Sequence, residues 1–118
     1  MRDHDIVIGG GGLTGLILAR TLAGALGDGV RIAVIDPDAP GTRADPRSYA
    51  LSVGSKRLLD AIAVWPALAA EAQPVSGIDI TDSALTDAIR PILLSYDTEV
   101  AEGEPGMWIV PASALHRA

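Results

Sequence analysis

Six consecutive residues, Gly10-Gly11-Gly12-Leu13-Thr14-Gly15, carry the first chemistry legible in this chain, because they match G-x-G-x-x-G. Each patterned glycine has a physical task. Gly10 permits a sharp turn out of a strand, a side chain at Gly12 would hold a pyrophosphate off the backbone, and Gly15 lets a helix lie close to a sheet. The head of a helix also offers unpaired N–H groups and a partial positive charge, both suited to a diphosphate. Such a turn calls for an acid about 20 residues later, at the end of the next strand, to bond a ribose hydroxyl. Asp36 stands there, directly after Ile32-Ala33-Val34-Ile35. An acid at that point disfavours a 2′-phosphate, so NADP is not the expected ligand of the turn. The pattern itself serves NAD and FAD alike, and a glycine turn with no ligand is the plain alternative.

The other residues that could do chemistry have simpler readings. His4 and His116 are far apart and lack clustered carboxylates, so surface histidines are expected and no metal site. Asp36, Asp38 and Asp45 lack the spacing of a calcium loop. Ser113 and His116 lie three apart on an expected helix with no acid to complete a triad, which argues against hydrolase chemistry. Trp65 and Trp108 are expected as packing anchors. No residue is singled out as catalytic.

The elements that must position the turn follow from hydropathy spacing. Residues 4–8 end in Ile6-Val7-Ile8, a β-branched run that predicts a strand buried on both faces. Leu13 to Leu26 reads as a helix, with apolar groups recurring at three and four, and Gly27-Asp28-Gly29 stops it. Residues 30–35 give a second strand, parallel to the first. From Asp36 to Pro46 a loop is expected. Helix resumes near Val53 or Gly54, with Leu58, Ile62 and Trp65 on one face and Leu59 at its flank, and Pro66 opens a short helix over 67–72. Residues 76–82 alternate as a half-exposed strand with 91–96 as antiparallel partner. A turn over 102–106 leads to a strand over 107–110 and a helix from Pro111 to Ala118. About three segments suit a parallel sheet, where a complete doubly wound domain uses five or six.

Composition sets the outer bounds. The 118 residues carry a net charge of −6, with 48% apolar and 20% charged residues and no cysteine. One domain is allowed and disorder is not expected. An acidic chain with scattered cations is no nucleic-acid binder, and disulfides, thiolate catalysis and Cys-based zinc sites are excluded. The polar, acidic start and the glycine-broken apolar stretch after it suit neither a secretory signal nor a membrane span. A cytoplasmic protein is expected, with peripheral membrane association left open.

Beyond the turn the chain reads Asp45-Pro46-Arg47-Ser48-Tyr49-Ala50-Leu51-Ser52, Ser55-Lys56-Arg57-Leu58-Leu59, Val64-Trp65, Gln73-Pro74-Val75 and Ile78-Asp79-Ile80-Thr81-Asp82. This resembles the FAD-dependent aromatic hydroxylases of ubiquinone biosynthesis, of the 2-octaprenyl-6-methoxyphenol hydroxylase type. Their pattern has D-x-R followed by A-L, then S-x-x-L-L, G-V-W, Q-P-I and I-x-V-S-D. The resemblance runs from Asp5 to Leu115, and the stretch from D-x-R to V-W is its specific part. At Ala63 the chain has Ala for the family's Gly, a change helix propensity tolerates. At Pro111 and Ala112 it lacks the polar or basic residue members often carry, so no second side-chain contact to the flavin is expected there.

The resemblance implies an α/β, Rossmann-like FAD/NAD(P)-binding fold, partial, with the start of an antiparallel substrate-side sheet. It implies that residues 1–118 are the N-terminal FAD-binding segment of a longer flavoprotein, with 76–110 an excursion toward the substrate. FAD is the implied cofactor, held by Gly10, Gly11, Gly12, Leu13, Thr14, Gly15 and Asp36. Arg47 is the D-x-R arginine placed near it, its charge and five donors suited to a phosphate or ribose oxygen. NAD(P)H and O2 are the implied co-substrates, and a phenolic or polyprenyl-phenol ring is hydroxylated. Peripheral membrane or biosynthetic-complex association is compatible with the full-length protein. The segment alone is expected to be inactive. An NAD-linked dehydrogenase on the same turn, or a non-catalytic dinucleotide-binding remnant or interaction module, are the alternatives.

Overall fold

A computed structural model describes residues 3–38 and 45–118. Most of the expected 36–46 loop, residues 39–44, lies outside the described residues.

Strand β1 (Ile6–Gly9) pairs in parallel with β2 (Ile32–Ile35), placing Ile8 opposite Val34 and Gly9 opposite Ile35. Helix α1 (Leu13–Leu26) joins them and packs against both. It ends where Gly27 takes φ 67° and a short 3₁₀ turn, Gly27–Gly29, hands the chain to β2. The β-α-β order is as expected; burial on both faces is not. Ile8 is buried, but Val7 is 57% exposed and Ile35 62%. The reason is sheet width: among the described residues this sheet has two strands, and α1 covers one face only.

A second sheet holds β3 (Ser48–Ser52), β4 (Gln73–Val75) and β7 (Met107–Pro111), in the order β3-β7-β4. β7, the expected strand over 107–110, is antiparallel to both neighbours, so among the described residues only β1 and β2 pair in parallel, against the three segments expected. β3 and β4 have no counterpart in the predicted elements. In β3, Tyr49 and Leu51 alternate inward between exposed Ser48, Ala50 and Ser52, a period-two signal only five residues long. β4 holds Pro74, which tolerates a strand only at an edge, and β4 is an edge strand.

Helix α2 (Val53–Ala61) starts where expected, with the Ser52 hydroxyl accepting the Ser55 amide at 3.2 Å as N-cap. Its buried residue is Leu59, whereas Leu58 is exposed. The anticipated face over Leu58, Ile62 and Trp65 fails because the helix ends before Ile62. The chain then turns through Ala63, at φ 58°, into α3 (Trp65–Leu68), shorter and earlier than the expected 67–72 helix.

The core gathers Leu59, Trp65, Leu68, Trp108, Val110 and Ala114, the last from α4 (Ala112–Arg117). Trp65 and Trp108 meet edge to face at 5.6 Å, as anchors rather than exposed stackers. Ile17 is the residue of α1 packed against this core.

β5 (Gly77–Thr81) and β6 (Ile92–Asp97) form the expected antiparallel pair, with a register shift at Ile80/Thr81. Both strands are exposed throughout. The radius of gyration is 18.6 Å. A compact domain of this length would have about 13 Å, so the chain does not close around its own apolar surface.

Candidate dinucleotide site

The glycine run joins β1 to α1 as a bare backbone corner. Gly10 takes φ 108°, a region L side chains rarely adopt, and its amide donates to the Ile35 carbonyl at 2.8 Å. That bond ties the turn to the end of β2. A Cβ on Gly15 would collide with the Gly10 carbonyl oxygen, so the helix approaches the turn as closely as an absent side chain allows. Gly12 is the N-cap, with no side-chain cap and nothing within 4 Å of an added Cβ. The first turn of α1 carries no acid. The amides of Leu13, Thr14 and Gly15 precede any i−4 carbonyl of the helix, an arrangement suited to an anion.

Asp36 closes the corner from the side. Its Oδ2 accepts the Gly11 amide at 2.6 Å and its Oδ1 accepts the Asp38 amide at 2.9 Å. A Cβ on Gly11 would lie 3.0 Å from the Asp36 Cβ. Gly11 therefore has a steric task of its own, which G-x-G-x-x-G hides because it leaves that position free. The fourth glycine in the run was the available signal.

Arg47 stands exposed at the entry to β3. Its Nε and Nη2 donate to the two oxygens of Asp45, each at 2.8 Å, and its guanidinium lies 5.6 Å over the Tyr49 ring. None of its contacts among the described residues reaches the glycine turn. The link is indirect. His116 and Leu13 line one cavity of about 240 Å³ between α1 and α4, and His116 also lies within electrostatic range of Asp45. His116 is thus partly enclosed, with Nδ1 2.9 Å from the Ala112 carbonyl, rather than open to solvent. The hydrogen bonds of the Arg47 guanidinium, more than any other cause, hold the Asp45 carboxyl down to about 2.

The V-W stretch explains itself in the backbone. Ala63 is the described non-glycine residue with positive φ, at 58°. The family's Gly at that place suits a left-handed residue, so helix propensity is the wrong yardstick there: Ala63 lies between helices, not within one. Trp65 then enters the core, where the Lys56 ammonium lies 5.4 Å over its ring and 5.8 Å over that of Trp108.

Comparison with known families decides which dinucleotide the domain binds. The family described as FAD binding domain matches residues 3–110. The chain belongs to the FAD-binding domain family. Its dinucleotide is FAD, which closes the choice between NAD and FAD that the glycine pattern left open. Ubiquinone hydroxylase UbiL of Rhodospirillum rubrum is 35% identical to this FAD-binding domain over 109 residues, covering 89% of the chain and 24% of that relative. The domain thus spans about a quarter of the length of that curated relative. Solved structures of PqsL from Pseudomonas aeruginosa, described as a probable FAD-dependent monooxygenase, share the fold. One superposes with TM-score 0.70 at 19% identity, covering 97% of this chain and 28% of that one. Another, PqsL in complex with 2-aminobenzoylacetate, gives 0.75 at 20%, covering 97% and 29%. The residues present fit the cofactor: an uncapped helix head, open space before Gly12, and a carboxylate fixed beside the turn. No helix among the described residues is long and apolar enough to cross a membrane.

Proposed function

We propose that this FAD-binding domain is the N-terminal segment of a longer aromatic-ring hydroxylase that uses NAD(P)H and O2, with a role in ubiquinone biosynthesis. The observation that carries this reading is the 35% identity with a ubiquinone hydroxylase along nearly the whole chain. The specific D-x-R to V-W stretch supports it, as does the amount of apolar surface the segment leaves uncovered. A phenolic or polyprenyl-phenol ring is the proposed substrate. The binding of 2-aminobenzoylacetate by a protein of the same fold is consistent with a small substituted ring. The full-length protein would be cytoplasmic, with peripheral membrane contact suited to a prenylated substrate.

FAD, when bound, supplies the redox chemistry; the residues of this segment bind and orient it. The amides of Gly11, Gly12, Leu13, Thr14 and Gly15 face the diphosphate, and Gly10 shapes the turn that presents them. Asp36, held by the Gly11 and Asp38 amides beside the turn, is the acid for the adenosine ribose hydroxyls. Arg47 carries a fixed cation toward a phosphate or ribose oxygen. The exposed β5–β6 pair begins the sheet that faces the substrate.

The test is the purified full-length protein. It should be yellow, retain stoichiometric FAD, and couple NADPH or NADH oxidation to hydroxylation of a phenol. Residues 1–118 alone should bind FAD weakly and show no turnover. A colourless full-length protein with affinity for NAD, or coupled hydroxylation by the segment alone, would contradict the proposal.

A further inference from the structure

Arg47 is restrained at three points. Its carbonyl accepts the Ala112 amide at 2.9 Å, where β7 passes into α4. Its guanidinium makes the two-pronged bond to Asp45, whose Oδ1 also accepts the Arg47 amide at 3.1 Å. The Tyr49 ring lies beneath the cation. The two partners are placed differently: the Asp45 side chain is 10% exposed and that of Arg47 70%. An ion pair with one partner so open adds little to stability. It does fix direction. A planar cation is gripped along one edge, while Nη1 and the remaining Nη2 hydrogen take no partner among the described residues.

We infer that Asp45 is a positioning residue, whose carboxylate sets the orientation in which the Arg47 guanidinium meets an anionic or hydroxyl oxygen of the dinucleotide. The inference rests on the assignment of Arg47 to FAD made above. Two effects oppose each other when Asp45 is removed. The Arg47 torsions become free and must be frozen again on binding, which weakens affinity by about three- to ten-fold for one such side chain. The loss of a negative charge favours an anion, but water and salt screen that gain at a cation this exposed. Ordering wins, and affinity falls.

The experiment uses FAD titrations of the full-length apoprotein, with Asp45→Ala, Asp45→Asn, Arg47→Ala and the double alanine variant, each checked by thermal melting. NMR of the Arg47 Nε–H supplies a second readout that does not depend on flavin. Asp45→Ala is expected to weaken FAD binding about three- to ten-fold, and to broaden the Nε–H signal by faster exchange with water. Asp45→Asn keeps one acceptor oxygen and falls between Asp45→Ala and the native protein. In the Arg47→Ala background, Asp45→Ala should add no further loss. Native affinity in Asp45→Ala, with a clear loss in Arg47→Ala, overturns the positioning role and leaves the Arg47 contact standing. Native affinity in Arg47→Ala overturns the contact itself. Additive losses in the double variant, or tighter binding in Asp45→Ala, also overturn the positioning role. If Asp45→Ala does not fold, Asp45→Asn decides: native affinity there overturns the inference, and a partial loss supports it.

Discussion

The carboxylate of Asp36 and the amide of Gly11, twenty-five residues apart in the chain, meet at 2.6 Å. The end of β2 and the corner after β1 are thereby one object, with the acid held in place beside the turn. Asp36→Ala should weaken FAD binding in the full-length protein by roughly 1–3 kcal/mol, the scale of a charge-assisted hydrogen bond. Flavin titration reads this directly. Gly11→Ala should weaken binding in the same direction, because its Cβ displaces Asp36 without touching the charge. Native affinity in both variants would remove Asp36 from the site.

Gly12 and Gly15 belong to one motif but should fail in different ways. A side chain at Gly12 meets no atom of this chain within 4 Å. Gly12→Val should therefore change folding stability by less than about 1 kcal/mol, the scale of an N-cap preference, yet abolish flavin retention. Gly15→Ala drives a Cβ into the Gly10 carbonyl, so it should destabilise the fold itself by about 1–3 kcal/mol, as overpacking does. Urea denaturation of the apoproteins beside flavin content of the purified proteins separates the two. Equal losses of stability would show that the space before Gly12 is not open.

Ala63→Gly should stabilise the protein. A left-handed φ costs an L residue about 1–2 kcal/mol, while glycine's extra freedom when unfolded costs about 0.5–1. The difference leaves a gain of about 0.5–1 kcal/mol, seen as a higher midpoint in chemical denaturation at unchanged m-value. A lower midpoint would mean that Ala63 makes packing contacts worth more than its backbone conformation costs.

The Asp45–Arg47 pair predicts an acid limit. The folded carboxyl is depressed to about 2 from an ordinary 3.8. A depressed carboxyl contributes stability that is complete above its unfolded pKa and lost as pH falls through the folded one. The pair's contribution to stability should therefore be complete above about pH 4 and lost between there and about pH 2, where the folded carboxyl is itself half protonated. Carboxyl ¹³C NMR should show Asp45 titrating well below the exposed aspartates, and Arg47→Ala should return it toward 3.8. An ordinary titration in the native protein would mean the bonds to Arg47 are not held in solution.

Local patterns were legible where one element suffices to read them. The glycine corner, α1 and the start of α2 follow from spacing and turn residues, as does the pairing of β5 with β6. What spacing could not show is what depends on a distant neighbour. β3 is five residues whose alternation is matched to β7 some sixty positions later. Leu59 rather than Leu58 is buried because that side of α2 meets the core of Trp65, Leu68 and Trp108, a distant arrangement that spacing along the helix does not reveal. The partner of Arg47 lay two residues away in the sequence, but a clamp and a solvated pair read alike until geometry distinguishes them.

The central strand of the three-stranded sheet is also its last in sequence: β7 supplies hydrogen bonds to both β3 and β4. During synthesis those two edges must wait, unpaired, until Pro111 has left the ribosome, and the loop closed between Ser48 and Pro111 makes this a slow, non-local step. A nascent chain halted short of Met107 would thus carry a formed glycine corner beside two orphan strands, and would be a ready client for chaperones.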